Sequence, residues 1–427
     1  MTKKTKNSVN EFAQRLGPGL ITGAADDDPS GIATYSQAGS QFRFGLVWML
    51  LLTTPLMIGI QMLSARIGWV TGEGLATNIG KVCPRWLTLT LVGLLVVANT
   101  INIAADIGAM AEAVRLLVGS HRLIFVVGLG LLCVLGQVGF SYEGTVRILK
   151  WLTLALFSYV AVVMSVQVPW REVFGQSLRP WVFFPAGTSI SDYASMVVAV
   201  LGTTISPYLF FWQAAQEVED SHRRPRSAEL RSHPEYAAEH LGRIKLDTYV
   251  GMLFSNLIAL CIVVATAVTL NLHGVTDIQT SAQAAEALRP VAGDLAFAVF
   301  ALGIIGTGLL AVPVLAGSAA YAMSELMGWP AGLSHGFRKA RGFYLIIIAA
   351  TGIGTVMSAM DFDPIKALVW SAIVNGVISA PIMAVMMWIG QSERIMGSLT
   401  MSRRHRFFGW SATVVMAGAV FFMLATA

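Results

Sequence analysis

Apolar residues along this chain come in long uninterrupted runs rather than in the alternation of half-buried strands. Eleven runs stand out between short charged breaks, at approximately 17–41, 45–65, 87–114, 122–140, 149–168, 192–214, 246–270, 294–325, 343–360, 366–390 and 405–426. Each is close to the roughly 20 residues that an α-helix needs to cross a bilayer's hydrocarbon core. The pattern therefore predicts an all-α polytopic membrane protein, and the run 294–325 is long enough to tilt or to kink at Pro313. Composition agrees: 55% of the 427 residues are hydrophobic and only 12% are charged, half the charge of a typical soluble protein (about 25%). A soluble enzyme, a nucleic-acid binder and a secreted disulfide scaffold are excluded. Cys83, Cys133 and Cys261 match no metal or redox spacing and read as small buried apolar residues.

Orientation follows from the positive-inside rule. With the N-terminus placed inside and the sides alternating, 22 of the 29 Lys and Arg residues fall on the cytoplasmic side. Eleven crossings then put the C-terminus outside, in the cell's inner (plasma) membrane. The polar, basic start to Arg15 and the three aspartates of the first run are unlike a cleavable signal sequence. The chain divides into a tail (1–16), a first five-helix unit (17–168), an external loop (169–191), a second five-helix unit (192–390) and a connector with helix 11 (391–427). The second unit carries the one large cytoplasmic loop, 216–245, which holds His222, His233 and His240 and reads as a solvated, partly helical connector.

Two runs are interrupted in a way that a lipid-facing helix is not. Run 1 contains Gly23-Ala24-Ala25-Asp26-Asp27-Asp28-Pro29-Ser30-Gly31. Proline removes an amide donor and turns the preceding residue away from the helical conformation, here Asp28. A carboxylate beside freed carbonyls at mid-membrane makes an oxygen-rich cation site, since charge inside a membrane helix is costly and marks function. Run 6 has a matching break, Gly202-Thr203-Thr204-Ile205-Ser206-Pro207-Tyr208. Breaks at corresponding positions of two inverted halves point to a transporter site at their interface.

The residues Gly17-Pro18-Gly19, Asp28-Pro29-Ser30-Gly31 and Gln37-Ala38-Gly39-Ser40-Gln41-Phe42 resemble the first helix of the Nramp family of divalent-metal transporters. Gln61 to Gly68 with Thr71-Gly72 are similar to its second helix and the following loop, and the likeness continues more loosely through helix 10. The resemblance implies the leucine-transporter fold, with helices 1–5 and 6–10 as inverted repeats, helices 1 and 6 unwound, and an eleventh helix added. It implies metal contacts from Asp28, from the backbone carbonyls of Ala25 and Thr203, and at the positions of Gly31 and Ser206. The family's metal transporters carry Asp-Pro-Gly-Asn on helix 1 and Met-Pro-His on helix 6; here Gly31 stands at the Asn position, Ser206 at the Met and Tyr208 at the His. That pattern looks like the divergent, magnesium-transporter-like branch.

Chemistry points the same way, because a thioether favours soft transition metals and its loss leaves oxygens only. Gly31 in place of asparagine is expected to leave a roomier site for a hydrated ion. Asp26, Asp27, Ser30, Tyr208, Asp106, Asn375 and Ser379 are expected around the site or along the pathway. Asp26 and Asp27 belong either to an inner vestibule where an aquated ion leaves or to plain solvation of the half-helix. The family's proton route runs through acidic and histidine groups on helices 3 and 6; Asp106 is kept, but Ala109 and Tyr208 replace two titratable positions, and tyrosine does not relay protons at neutral pH. Transport of Mg2+ or Mn2+ by alternating access, without proton coupling, is the expectation. The alternatives are a proton-coupled Mn2+/Fe2+ importer and an organic-substrate carrier of the same fold. A resident cofactor is not expected, since the divalent ion is cargo; nor is enzymatic activity or nucleic-acid binding, and a monomer in the lipid bilayer is assumed. Gly332-Leu333-Ser334-His335-Gly336 fits a hydrolase pattern but sits in a short basic loop, without the strand-to-helix elbow that motif requires.

Overall fold

The computed structural model describes residues 18–119, 121–139, 153–178, 189–223, 234–360 and 363–427. The expected tail 1–16, the start of helix 5 and the loop's His233 lie outside the described residues. Among the described residues nine helices are long and apolar enough to cross a membrane as single elements or across the helix 6 break, and a tenth span is formed by a bent pair at helix 5. Helix 1 is divided into Pro18–Asp26 (helix 1a) and Pro29–Phe42 (helix 1b). The others are helix 2 (Val47–Thr71), helix 3 (Arg85–Val118), helix 4 (Arg122–Gly139), the described part of helix 5 (Phe157–Ser165), helix 6a (Ile190–Thr204), helix 6b (Pro207–Arg223), helix 7 (Pro234–Thr269), helix 8 (Ala296–Met327), helix 9 (Arg341–Ser358), helix 10 (Pro364–Gln391) and helix 11 (Arg403–Thr426). Helices 2 and 3 stop where expected for glycine caps: Gly72 and Gly119 take φ of 65° and 73°, conformations that cost a side-chain-bearing residue.

In the segment 216–245, expected as a partly helical connector, helix 6b runs on to Arg223 and helix 7 already begins at Pro234. Hydropathy marks only where lipid begins; the Ala-, Glu- and Leu-rich stretch before the apolar run keeps its helical propensity in water. One expectation needs correction: the segment after helix 5, read as an external loop, is partly helical, with Trp170–Leu178 forming a short helix bent 106° from the end of helix 5.

Burial sorts the helices into centre and periphery. In the span made by helix 6, 89% of the apolar window is buried, against 17% in helix 4, whose Leu123, Leu131 and Leu135 face outward as a lipid-facing surface must. Helix 1b buries every residue except Gln41. The broken helices are thus the core, held by close glycine packing. A side chain on Gly23 would strike the backbone of Gly251 on helix 7, and one on Gly202 would strike Ala372 and Gly376 on helix 10. Without a hydrophobic driving force between helices in lipid, such small-residue contacts are how membrane helices gain van der Waals packing.

Candidate functional site

The break in helix 1 is the two-residue stretch Asp27–Asp28, stabilised by its own carboxylate. Asp28 has extended backbone angles (φ −68°, ψ 171°) and is the N-cap of helix 1b, with Oδ1 accepting from the amide of Gly31 at 2.6 Å. Pro29 occupies the first helical position, where a missing N–H costs nothing. The helix 6 break is held from outside as well as from within. Ile205 leaves helical geometry (φ −126°, ψ 61°), and its carbonyl accepts from Ser379 Oγ of helix 10 at 2.7 Å. Ser206 Oγ turns back to the carbonyls of Gly202 and Thr203, at 2.7 and 3.0 Å.

Four helices meet at Asp28. Its Oδ2 accepts from Asn102 Nδ2 of helix 3 at 3.0 Å and lies 3.5 Å from the Tyr208 hydroxyl of helix 6b. That hydroxyl donates to the carbonyl of Ala25 at 3.1 Å. The amide of Asn102 is oriented from behind by Ser371 of helix 10, whose Oγ reaches Asn102 Oδ1 at 2.6 Å and Ser30 Oγ at 3.3 Å. Ser30 in turn donates to the carbonyl of Leu368 at 3.1 Å. Carboxylate, carbonyl, hydroxyl and amide therefore converge, and the hydrogen-bond partners of the carboxylate are backbone amide, side-chain amide and hydroxyl. Asp28 is 2% exposed and Tyr208 1%, so the centre is sealed from both faces.

The sequence-based site thus divides. Asp28, Ala25, Tyr208 and Ser30 lie within one hydrogen-bonded cluster. Ser206, Ser379 and the Thr203 carbonyl do not face it: their polar atoms are spent closing the helix 6 break. Asn375 is buried with its Oδ1 unpartnered, and the printed bonds of helix 10 reach the centre instead through Ser371 and Leu368. The space at Gly31 is not vacant, contrary to the expected roominess: a Cβ there would lie 3.1 Å from Thr203 Oγ1, 3.2 Å from the Asp26 carbonyl and 3.4 Å from the Tyr35 ring. Asp26 and Asp27 do not stand in an open vestibule either. Both are buried and share Ser255 of helix 7, whose Oγ lies 2.6 Å from Asp26 and 3.2 Å from Asp27. Asp106 is fully buried, and neither of its carboxylate oxygens meets hydrogen-bond geometry, although it lies close enough to Asp28 for the two to interact electrostatically.

Asn102 and Ser371 were missed by sequence reasoning. A signal for the first was present: Asn99, Asn102 and Asp106 are spaced by three and four, which puts them on one face of helix 3. Asn99 uses that face to bind helix 8, through the Leu315 carbonyl (2.9 Å) and Ser318 Oγ (2.8 Å).

The seals on either side are polar. Toward the N-terminal end, the amides of Gly19 and Leu20 donate to the Asp247 carboxylate of helix 7, at 2.7 and 3.0 Å. Toward the other face, Gln37 of helix 1b accepts from the Ile278 amide at 2.9 Å and donates to Asp277 at 3.2 Å, while Ser40 donates to the Val275 carbonyl at 2.6 Å.

Two five-helix halves with broken first members meeting at a buried polar centre are the architecture of secondary transporters of the leucine-transporter fold. Solved structures agree. The manganese transporter of Eremococcus coleocola superposes with a TM-score of 0.70 over 96% of this chain and 85% of that one, at 18% identity. A nucleobase-cation-symport-1 family transporter superposes with a TM-score of 0.56 over 96% of this chain and 91% of that one, at 12% identity. The chain belongs to the Nramp family: the family model "Natural resistance-associated macrophage protein-like" matches residues 19–426. Among its relatives, the divalent metal cation transporter MntH of Verminephrobacter eiseniae is 25% identical over 90% of this chain and 82% of its own length. The MntH of Aeromonas hydrophila is 26% identical over 69% of each chain.

Proposed function

We propose that this protein carries divalent metal cations across the plasma membrane by alternating access, and that hard ions, Mg2+ and Mn2+, are its cargo. The observation that carries the reading is the Asp28 centre: one buried carboxylate whose hydrogen-bond partners, among the described residues, are neutral oxygen and nitrogen groups rather than sulfur. Asp26, Asp27 and Asp106 add three more buried carboxylates nearby, and none of the four forms an ion pair among the described residues. An uncompensated buried charge costs several kcal/mol, so such a centre has a standing demand for positive charge. A single anionic ligand with neutral oxygens suits an ion that keeps part of its water, and the absence of thioether contact removes the preference for soft metals. In liposomes, Mg2+ and Mn2+ are both expected to enter, with Cd2+ a weak competitor of either. Uptake of Cd2+ together with refusal of Mg2+ at millimolar concentration would overturn the hard-ion reading.

Energy coupling follows from what replaces the family's titratable groups. Tyr208 stands in the helix 6 histidine position with its proton committed to the Ala25 carbonyl. Ala109 leaves Asp106 without an acidic neighbour one turn on, and a relay needs partners within hydrogen-bond or single-water reach. The membrane potential alone is sufficient to drive entry. A doubly charged ion gains roughly 4.6 kcal/mol per 100 mV, twice the elementary-charge value. Metal flux is therefore expected to rise with an inside-negative potassium diffusion potential while a lumenal pH dye stays constant. Acidification at a rate comparable to metal entry would instead establish the proton-coupled alternative.

A further inference from the structure

Helices 2, 7 and 11 end together at one membrane surface, and between them lies a cavity that the ion pathway does not use. Its volume is about 200 Å³. Met62, Leu63 and Ile244 supply apolar lining, and Arg66, Lys245 and His405 supply three basic groups, with no acidic residue among them. Arg66 and Lys245 both act electrostatically on His405, so the three groups share one locale.

Their existing bonds fix them without neutralising them. Arg66 donates from Nε and Nη2 to the carbonyls of Leu399 and Thr400, at 2.8 to 3.0 Å, which orients the guanidinium and leaves Nη1 uncommitted. Lys245 rests 5.8 Å from the centre of the Tyr249 ring and has no carboxylate partner among the described residues. His405 engages Ser402 Oγ through Nδ1 at 3.1 Å, leaving Nε2 open. Arg66 and Lys245 are like charges in a partly apolar cavity and repel unless an anion joins them.

We propose that this cavity holds the phosphate of an anionic glycerophospholipid from the cytoplasmic leaflet. Three features favour a lipid over free phosphate. The basic groups sit on apolar walls that suit acyl chain rather than water. The cavity lies at the ends of three membrane helices, beside the exposed Phe407 and Trp410, at the level where aromatic side chains mark the interface. Arg403, Arg404 and Arg406 flank it on the first turns of helix 11, and basic pockets between helices on the cytoplasmic side are where acidic headgroups are recognised. Bound there, the lipid joins helix 11, which lies outside the two five-helix halves, to helices 2 and 7.

The test uses the purified full-length protein exchanged into mixed vesicles of phosphatidylcholine and phosphatidylglycerol, re-extracted, and analysed for retained lipid by mass spectrometry. The wild type should retain phosphatidylglycerol in preference to phosphatidylcholine. Lys245→Gln, which breaks no hydrogen bond and so leaves the fold alone, should lower that retention several-fold, and Arg66→Gln/Lys245→Gln should abolish it. The surface variant Arg403→Gln/Arg404→Gln, which removes flanking charge but not the cavity's own groups, should lower it less than Lys245→Gln does. Equal retention by the wild type and Lys245→Gln would overturn the proposal. So would an equal loss in the surface variant, which means general surface attraction, or full displacement by inorganic phosphate, which means a free-anion site.

Discussion

Replacing Asp28 by alanine should reduce divalent-metal flux into liposomes to background while the protein still inserts and elutes as a single species. The carboxylate is the only charged group in direct hydrogen-bond contact with the Asn102, Tyr208 and Ala25 cluster. Two unit charges about 4 Å apart at an effective dielectric near 20 attract by about 4 kcal/mol. At about 1.4 kcal/mol per tenfold, loss of that interaction is worth roughly a thousand-fold in ion occupancy. Folding should survive, since the groups left without a partner are neutral and cost about 1–3 kcal/mol each, and since removing a buried charge also removes its desolvation cost. Flux near the wild-type rate in Asp28→Ala would place the ion elsewhere.

Asn102→Leu should be the next most damaging change, lowering the ratio of maximal rate to half-saturating Mg2+ concentration by roughly 10- to 100-fold. A hydrogen bond to a charged group is worth about 1.5–3 kcal/mol, and leucine both removes that bond and leaves Ser371 facing an apolar side chain. The helix 1 position that bears the family's asparagine is Gly31 here, and an amide nevertheless reaches Asp28, from helix 3. If that amide supplies an oxygen to the ion, the loss should fall on half-saturation rather than on maximal rate, and the Mg2+ to Mn2+ preference should move with it. Ser371→Ala should shift half-saturation in the same direction by less, because it only orients the amide. A uniform fall in maximal rate with unchanged half-saturation in both variants would reduce Asn102 to a packing role.

Sequence made the membrane class and the two breaks readable, because each rests on a local property: apolar run length, or proline after a residue it forces out of the helix. The same locality explains what was not readable. Whether Ser206 faces the ion or its own helix depends on its rotamer, and the break it closes is also held by Ser379 of helix 10, 174 residues from the Ile205 carbonyl it reaches. The filling of the Gly31 space by Tyr35 and Thr203 is likewise a matter of packing between helices 1 and 6. Asp26 and Asp27 read as solvated because nothing near them in sequence announces Ser255, 228 residues further on. Asn102 was legible in principle from its spacing on helix 3, and was passed over because Asp106 drew the attention that charge commands.

The Asp247 contact gives the inner seal an unusual economy. Helix 1a meets helix 7 through glycine backbones and two amide-to-carboxylate bonds, and the chain between Asp26 and Pro29 is already extended. Because helix 1a also carries the Ala25 carbonyl bonded to Tyr208, any displacement of helix 1a from helix 7 would break both the Asp247 latch and that bond, and would expose the buried Asp26. The latch at the end of the helix and the contacts at the Asp28 cluster are thus mechanically one unit.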